Sequence, residues 1–192
     1  MKKGKVWLVG AGPSDAGLLT IKAKEVLEQA DVVMYDSLIG DGVIAMIPPN
    51  AKLINVGKRA GHAVMFQENI NKKLLDLALE GKQVARLKGG DPFLFGRGGE
   101  ELELLAEQGI PFEIVPGITS ALAVPAYAGI PVTHRDFSSS VHIITGHKKD
   151  IDKPQIDFEA LVKLDGTLVF LMGVGALQYI CQSLKKTRIF LC

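Results

Sequence analysis

Residues 85–100 read ARLKGGDPFLFGRGGE, and the fold is organised around this stretch. The residues at 83–87 are typical of a short buried strand, and those from Glu100 onward have the apolar spacing of a helix. Between strand and helix, glycines allow the backbone to approach a ligand closely, and Asp91 offers a carboxylate. Ligands of open α/β sheets bind at this end of a strand. The stretch therefore predicts a ligand-binding loop, with a tight turn that binds nothing as the alternative.

The same order of strand and helix repeats on both sides of this loop. Thr20 is placed to cap a helix, and a second helical pattern runs through Ile70, Leu74 and Leu77 until Gly81 ends it. Strands are predicted at residues 6–9, 32–35, 54–56, 83–87 and 112–115. This order is typical of a mostly parallel sheet with helices on both faces, and it predicts an α/β domain over residues 1–118.

A second α/β domain is predicted over residues 119–192. Apolar runs at residues 141–144 and 168–171 predict strands, and residues 174–184 have a helical pattern. Residues 189–191 have the character of another strand that opens without a helix to cover it. This domain is therefore expected to be incomplete, and the 192 residues alone are expected to be a poor enzyme with an exposed sheet edge.

Composition narrows the classes of function. The chain carries 22 Lys and Arg against 21 Asp and Glu, so no overall field favours binding to nucleic acid or to an anionic membrane. No apolar run approaches the roughly 20 residues of a transmembrane helix, and the basic start lacks a signal-peptide core, which predicts a cytoplasmic location. Cys181 and Cys192 lack metal-ligand spacing, so neither a disulfide nor a bound metal is expected.

The first glycine-rich turn, GAGPSD at residues 10–15, begins like a dinucleotide-binding motif. Asp15 stands where that motif needs its third glycine, and its charge, together with the rigid Pro13, opposes a pyrophosphate at a helix N-terminus. A nucleotide-binding oxidoreductase is therefore disfavoured.

Eight motifs fall in one order along the chain: GAGPSDAGLLT, Tyr35-Asp36, Gly57-Lys58-Arg59, KGGDPFLFGRGGEE, PGITSA, GIPVTHR, Thr145-Gly146-His147 and TLVFLMG. In this order the chain resembles the tetrapyrrole methylases over nearly its whole length, and within them the enzymes that methylate uroporphyrinogen III. The resemblance implies two α/β domains with S-adenosylmethionine in the cleft between them, and a homodimer. It also implies transfer of the sulfonium methyl group to two pyrrole carbons of uroporphyrinogen III in turn. The products would be S-adenosylhomocysteine and precorrin-2, which leads to sirohaem and cobalamin.

The resemblance also implies roles for individual residues. Asp36 would be the proton acceptor and Lys58 the proton donor. The residues that would contact the cofactor are Pro13, Gly89, Gly90, Asp91, Leu94, Thr119, Ser120 and Met172. A substrate rich in carboxylates requires cations, and the candidates beside the motif loops are Arg59, Arg97, His134 and Arg135.

Several of these residues also have a structural explanation. An Asp after a strand is often a turn former, a Met that ends a buried strand usually packs in the core, and His134 suits a turn. Ser14 stands where the family normally has glycine, so a positive φ at that position would add strain of order 1 kcal/mol. The competing functions are a methylase of a later corrin intermediate and a non-catalytic remnant that binds cofactor or forms dimers.

Overall fold

The computed structural model of the protein describes residues 2–57, 66–146 and 156–187. The chain divides into two compact units, residues 1–119 and residues 120–192. Each unit is described separately below.

The first unit is built on a sheet of five strands that all pair in parallel. The strands are β1 (Lys5–Gly10), β2 (Val32–Tyr35), β3 (Lys52–Asn55), β4 (Gln83–Lys88) and β5 (Phe112–Val115). Their order across the sheet is β3-β2-β4-β1-β5, so β4 lies between β2 and β1. The parallel α/β class predicted from the sequence is confirmed, and β3 begins two residues earlier than predicted.

Helices cover both faces of this sheet, as predicted. They are α1 (Ile21–Gln29), α2 (Asp41–Ile44), α3 (Gln67–Leu79) and α4 (Gly98–Glu107). α1 and α2 pack on one face with Trp7 and Val9 of β1, whereas α3 and α4 pack on the other face with Val6 and Leu8. The two sets of β1 side chains alternate because successive residues of a strand point to opposite faces.

The ends of two helices follow the sequence signals closely, and the start of a third departs from them. Thr20 caps α1, with its Oγ1 accepting a hydrogen bond from the backbone N of Ala23 at 3.1 Å. Gly81 adopts a φ of +83° just after α3, which is the left-handed conformation typical of a residue that follows a helix. α4 begins at Gly98, two residues before the predicted start, because Arg97 turns the chain into the helix with a φ of +57°.

The second unit contains two parallel strands and three helices among its described residues. The elements are α5 (Ser120–Tyr127), β6 (Val141–Thr145), α6 (Phe158–Lys163), β7 (Thr167–Leu171) and α7 (Leu177–Lys186). Phe158, Ile180 and Leu184 form its buried core. The predicted helix at 174–184 opens as a 3-10 turn at Val174–Ala176, and the strand predicted at 189–191 lies outside the described residues. No helix in the described ranges is long and apolar enough to cross a membrane.

Candidate active site

The carboxyl edge of the first unit's sheet has the topology of a ligand-binding crevice. α1 and α2, which follow β1 and β2, pack on one face, and α4, which follows β4, packs on the other. Because β4 lies between β2 and β1, the chain leaves neighbouring strands toward opposite faces at this edge. Ligands of open α/β sheets bind at such switch points. The glycine-rich loops predicted from the sequence follow β1 and β4 and therefore meet at this place.

Backbone hydrogen bonds join these two loops. Gly90 N donates to the carbonyl of Gly12 at 2.8 Å, and Gly12 N donates to the carbonyl of Gly90 at 3.2 Å. Ala11 N also donates to the carbonyl of Lys88 at 2.8 Å. Asp15 caps a short 3-10 turn through a 2.7 Å bond from Gly17 N to its Oδ1. The first loop is thus held against the β4 loop, and its Asp15 occupies the third glycine position of a dinucleotide motif in a different structural role.

Three glycines bring the ends of β1, β4 and β5 into direct backbone contact. A Cβ atom added to Gly117 would lie 2.2 Å from the carbonyl oxygen of Gly90 and 2.6 Å from the Cα of Gly10. A Cβ added to Gly10 would lie 2.5 Å from the Cα of Gly117. Gly90 itself has a φ of +67°, a conformation that glycine adopts at little cost. The missing side chains of Gly10 and Gly117 therefore let the three loops pack directly on one another, whereas an added Cβ at Gly90 would meet only the Cα of Thr119 at 3.9 Å, which leaves that side of the Gly90 backbone open to a ligand.

Asp91 fastens the β4 loop to the β5 loop. Its Oδ1 accepts a hydrogen bond from Phe93 N at 2.8 Å, and its Oδ2 accepts one from Gly117 N at 3.1 Å. Both carboxylate oxygens therefore have backbone partners within the protein. The cofactor contact implied for Asp91 stays a prediction, and the structure adds a role in shaping the loop.

Asp36 follows β2 and lies beside β4, the neighbouring strand. Its Oδ1 accepts a 2.7 Å hydrogen bond from Nη2 of Arg86, and its side chain remains partly exposed. The carboxylate is therefore paired with a buried cation while it keeps access to solvent. This arrangement suits a group that exchanges a proton with a ligand at the carboxyl edge.

A buried group of charges surrounds that pair. Arg86 is 2% exposed, Lys88 is 4% exposed and Glu101 is 0% exposed. Glu101 Oε1 receives hydrogen bonds from Lys88 Nζ at 2.6 Å, from Arg86 Nη2 at 3.2 Å and Nε at 3.3 Å, and from Gln67 Nε2 at 3.1 Å. Asp36, Arg86, Lys88 and Glu101 are called the charge cluster below. With two cations and two anions, the cluster has no net charge when all four groups are ionised.

Sequence reasoning missed the charge cluster apart from Asp36. The available signal was the pair of cations at alternate positions 86 and 88 of a strand in a parallel sheet, which places both side chains on the same buried face. Buried cations require an anion, and Glu101 in the first turn of the following helix was the candidate.

Burial of Lys88 leads to a prediction about stability and pH. Removal from water lowers the pKa of the Lys88 ammonium, and the charge of Arg86 lowers it further, against the opposing effect of Glu101. Between the lowered value and the ordinary value of 10.5, the unfolded chain binds a proton at this site that the folded chain has lost. The contribution of Lys88 to the free energy of unfolding therefore rises with pH in this window, by at most about 1.4 kcal/mol per pH unit.

Denaturant unfolding of the wild type and of Lys88→Met between pH 8 and 10.5 measures this contribution. We expect the wild type to gain stability relative to the variant as the pH increases. A relative loss over the same range would mean that pairing with Glu101, rather than desolvation, dominates the titration of Lys88.

The other predicted site residues fall into three groups. Pro13, Gly89, Leu94 and Thr119 belong to the first unit, and all but Thr119 lie in the two joined loops. Ser120, His134, Arg135 and Met172 belong to the second unit. Lys58 and Arg59 lie outside the described residues.

Two predicted cations already have partners. Arg97 makes a two-pronged ion pair with Glu100, which raises the pKa of the Arg97 guanidinium. His134 Nδ1 accepts a 3.1 Å hydrogen bond from Asp136 N, and the His134 ring lies 4.7 Å from that of Phe137. His134 therefore has the turn role that the sequence left open, and contact of either cation with substrate stays a prediction.

Met172 and Ser14 resolve two questions that the sequence raised. Met172 is 56% exposed and has a φ of +54°, so the core-packing alternative for this residue is wrong. Ser14 has a φ of +73°, the strained conformation anticipated for a residue that replaces glycine. A 2.9 Å hydrogen bond from Ser14 Oγ to the carbonyl of Leu38 accompanies that conformation.

Comparison with known proteins identifies the family. A family model described as Tetrapyrrole (Corrin/Porphyrin) Methylases matches residues 5–190. The chain belongs to the tetrapyrrole methylase family. The resemblance inferred from the eight motifs is therefore confirmed.

Individual tetrapyrrole methylases and related proteins match over almost all of this chain. The porphyrin biosynthesis protein HemD of Ruminiclostridium josui is 58% identical over 96% of the chain, which spans 36% of that protein. The uroporphyrinogen-III C-methyltransferase of Priestia megaterium is 51% identical over 95% of the chain, which spans 77% of it. The crystal structure of uroporphyrin-III C-methyl transferase from Thermus thermophilus complexed with S-adenyl homocysteine is 40% identical. The two structures superpose with a TM-score of 0.79, and the matched region covers 97% of this chain and 78% of the Thermus chain.

The chain thus spans little more than a third of the length of several relatives, including 38% of a siroheme synthase of Mannheimia succiniciproducens.

The described residues hold no group of His, Cys, Asp and Glu side chains suited to a metal ion.

Proposed function

We propose that this chain is the methyltransferase domain that transfers methyl groups from S-adenosylmethionine to two pyrrole carbons of uroporphyrinogen III, giving precorrin-2 for sirohaem and cobalamin synthesis. The observation that carries the proposal is the pairing of Asp36 with a buried cation beside the joined glycine loops. Relatives named for this reaction at 51–53% identity support it. The chain is further proposed to act in the cytoplasm as a homodimer.

The residues at the carboxyl edge fit S-adenosylmethionine, whose bound form would supply an electrophilic methyl group on a sulfonium. The backbone of Gly90 presents a surface without a side chain, because an added Cβ there would meet only the Cα of Thr119 at 3.9 Å, and the close packing of Gly10 against Gly117 holds the loops around it. Gly89 and Thr119 extend that surface, and the Thr119 hydroxyl offers a polar contact. These residues would hold the cofactor, and Asp91 would keep their loops in register.

Asp36 is proposed to accept a proton from the tetrapyrrole. Loss of that proton makes the attacking pyrrole carbon a better nucleophile. That carbon must approach the methyl carbon in line, to roughly 3–3.5 Å. Arg86 keeps the carboxylate paired and oriented at 2.7 Å until the proton arrives. Lys58 is proposed as the proton donor, and the basic side chains of Arg59, Arg97, His134 and Arg135 as the groups that meet the substrate's carboxylates.

Two measurements on the purified protein test this function. Calorimetric titration with S-adenosylhomocysteine should give saturable binding, and titration with NAD should give none. Incubation with S-adenosylmethionine and uroporphyrinogen III should then produce a doubly methylated product by mass spectrometry. Binding without methylation of uroporphyrinogen III, but with methylation of a later corrin intermediate, would reassign the substrate. Absence of both binding and turnover would reject the enzymatic function.

Replacement of Gly90 by valine is expected to weaken S-adenosylhomocysteine binding by about tenfold or more. The reason is mainly the backbone, because a β-branched residue is a conformational outlier at the φ of +67° found here. An added Cβ would meet only Thr119 Cα at 3.9 Å, but the further methyl groups of valine would stand on the proposed binding surface.

Gly129→Val is the matched control for this variant. Gly129 belongs to the second unit and has a similar φ of +72° with nothing within 4 Å of an added Cβ, so a valine there carries the same backbone strain without altering the β4 loop itself. An equal affinity in Gly90→Val and wild type would show that the β4 loop is a turn without a cofactor role.

A further inference from the structure

The charge cluster contains three buried groups, and the proposed reaction gives a role to Arg86 but none to Lys88 or Glu101. Arg86, Lys88 and Glu101 are together almost inaccessible, whereas Asp36 at the end of the cluster reaches solvent. Burying charged groups is costly unless each has a partner, so a cluster of this size needs a reason beyond packing.

Glu101 and the main chain fix the guanidinium of Arg86 on two sides. Nε and Nη2 lie 3.3 Å and 3.2 Å from Glu101 Oε1, and Nη1 donates to the carbonyl of Leu87 at 3.2 Å. The same Nη2 donates to Asp36 Oδ1 at 2.7 Å. The guanidinium of an arginine is planar and rigid. Once its bonds to Glu101 and to the Leu87 carbonyl are made, the direction in which Nη2 can bond the Asp36 carboxylate is therefore fixed.

Glu101 is in turn fixed by groups from three elements. Lys88 on β4 and Gln67 at the start of α3 donate to its Oε1 at 2.6 Å and 3.1 Å, and Glu101 itself lies in the first turn of α4. Among the described residues no group donates to its Oε2, although that atom is buried. All four hydrogen bonds therefore converge on one oxygen of the carboxylate, and this oxygen fixes the positions of the four donor atoms.

We propose that Glu101 is a positioning residue for methyl transfer, which fixes the Arg86 guanidinium so that Arg86 holds the Asp36 carboxylate in the orientation that accepts the proton. The inference rests on the proposed function of Asp36 as the proton acceptor. Lys88 balances the charge of Glu101 and completes the cluster. This role differs from simple stabilisation of the fold, because Glu101 must fix the orientation of Arg86, and Arg86 must in turn fix the orientation of the Asp36 carboxylate.

The kinetic test compares Glu101→Gln with the charge-balanced double variant Glu101→Gln/Lys88→Met. The single variant removes the anion and leaves two buried cations, so both stability and turnover should fall. The double variant removes one cation as well, so it should recover the denaturant midpoint of the wild type. A glutamine oxygen can still accept from Arg86, but without the charge the bonds are about half as strong and hold the guanidinium less firmly. If Glu101 positions Arg86, kcat should therefore stay at least tenfold below wild type in the double variant, with KM and the affinity for S-adenosylhomocysteine unchanged.

Recovery of kcat together with stability would overturn the proposal and leave Glu101 with a structural role alone. Glu103→Gln is the control variant, because Glu103 is an exposed carboxylate on the same helix outside the charge cluster. The kcat and the denaturant midpoint of Glu103→Gln should equal those of the wild type.

A second measurement tests the coupling of Glu101 to Asp36 through Arg86 without any turnover. In a double-mutant cycle, the shift in denaturant midpoint caused by Asp36→Asn should differ between the wild-type background and the Glu101→Gln background. This difference should vanish when Arg86 is replaced by methionine. Should Arg86→Met fail to fold, Arg86→Lys serves in its place, because lysine keeps the charge but lacks the fork. Equal shifts in the two backgrounds would reject the path through Arg86. A coupled cycle in a protein that methylates nothing would instead reject the proposed function alone.

Discussion

Asp36→Asn is expected to lower the rate of methyl transfer by ~10²–10⁴-fold, the range that a general acid or base contributes. Asparagine keeps the shape of the side chain and can still accept the hydrogen bond from Arg86, but its amide oxygen does not take up a proton under the reaction conditions. The loss should appear in kcat, because Asp36 is proposed to act on the acceptor. Affinity for S-adenosylhomocysteine should stay at the wild-type value.

Single-turnover methylation of uroporphyrinogen III, together with calorimetry on the same preparation, separates these two effects. Asp41→Asn is the matched control, since Asp41 is an exposed carboxylate five positions along the chain, in the first turn of α2. Wild-type turnover in purified Asp36→Asn would remove Asp36 from the mechanism. A parallel loss of cofactor affinity would instead place its role in binding.

Gly117→Ala is expected to lower the free energy of unfolding by about 1–3 kcal/mol or more, the usual range for overpacking. The new methyl group would lie 2.2 Å from the carbonyl oxygen of Gly90 and 2.6 Å from the Cα of Gly10. Both contacts are with backbone, which cannot rotate away as a flexible side chain can. The loops after β1, β4 and β5 must therefore separate, and the bond from Gly117 N to Asp91 is expected to break.

The same separation should abolish measurable binding of S-adenosylhomocysteine even at temperatures where the variant stays folded. Gly99→Ala is the control variant, and it is expected to raise the free energy of unfolding rather than lower it. An added Cβ at Gly99 has nothing within 4 Å, and Gly99 is the second residue of α4, where alanine should stabilise by at most roughly 0.5 kcal/mol, less than in the interior of a helix. Thermal unfolding and calorimetry on both variants check the pair. Unchanged stability of Gly117→Ala would mean that the three loops pack less closely than the structure has them.

The local features of the fold were predictable, because they depend on neighbouring residues. Val32–Tyr35 is a strand as predicted, and the Thr20 cap forms with the expected side-chain bond. The strand order was not predictable, since the insertion of β4 between β2 and β1 depends on pairing between distant segments. Periodicity assigns residues to a face but does not select the neighbour of a strand.

The candidate site was predictable where glycine and motif chemistry marked the loops, and much less so where burial decides. Arg86 and Lys88 carry charges that ordinarily lie at the surface, and only the folded position of Glu101 makes their burial acceptable. The cofactor contact of Asp91 stays a prediction, and its bond from Gly117 N was not predictable, because it depends on the approach of the loop after β5.

The position of β1 in the sheet also has a consequence for how the protein folds during synthesis. Both neighbours of β1 come much later in the chain, because Val6 pairs with Val84 on one side and with Phe112 on the other. At the usual elongation rate of roughly 5–20 residues per second, several seconds separate the emergence of β1 from that of β4. During this interval β1, whose side chains are almost all buried in the finished sheet, is an unpaired apolar strand at the ribosome. β2 and β3 can pair during this interval, whereas β1 cannot form either of its two pairings until residue 88 has cleared the exit tunnel.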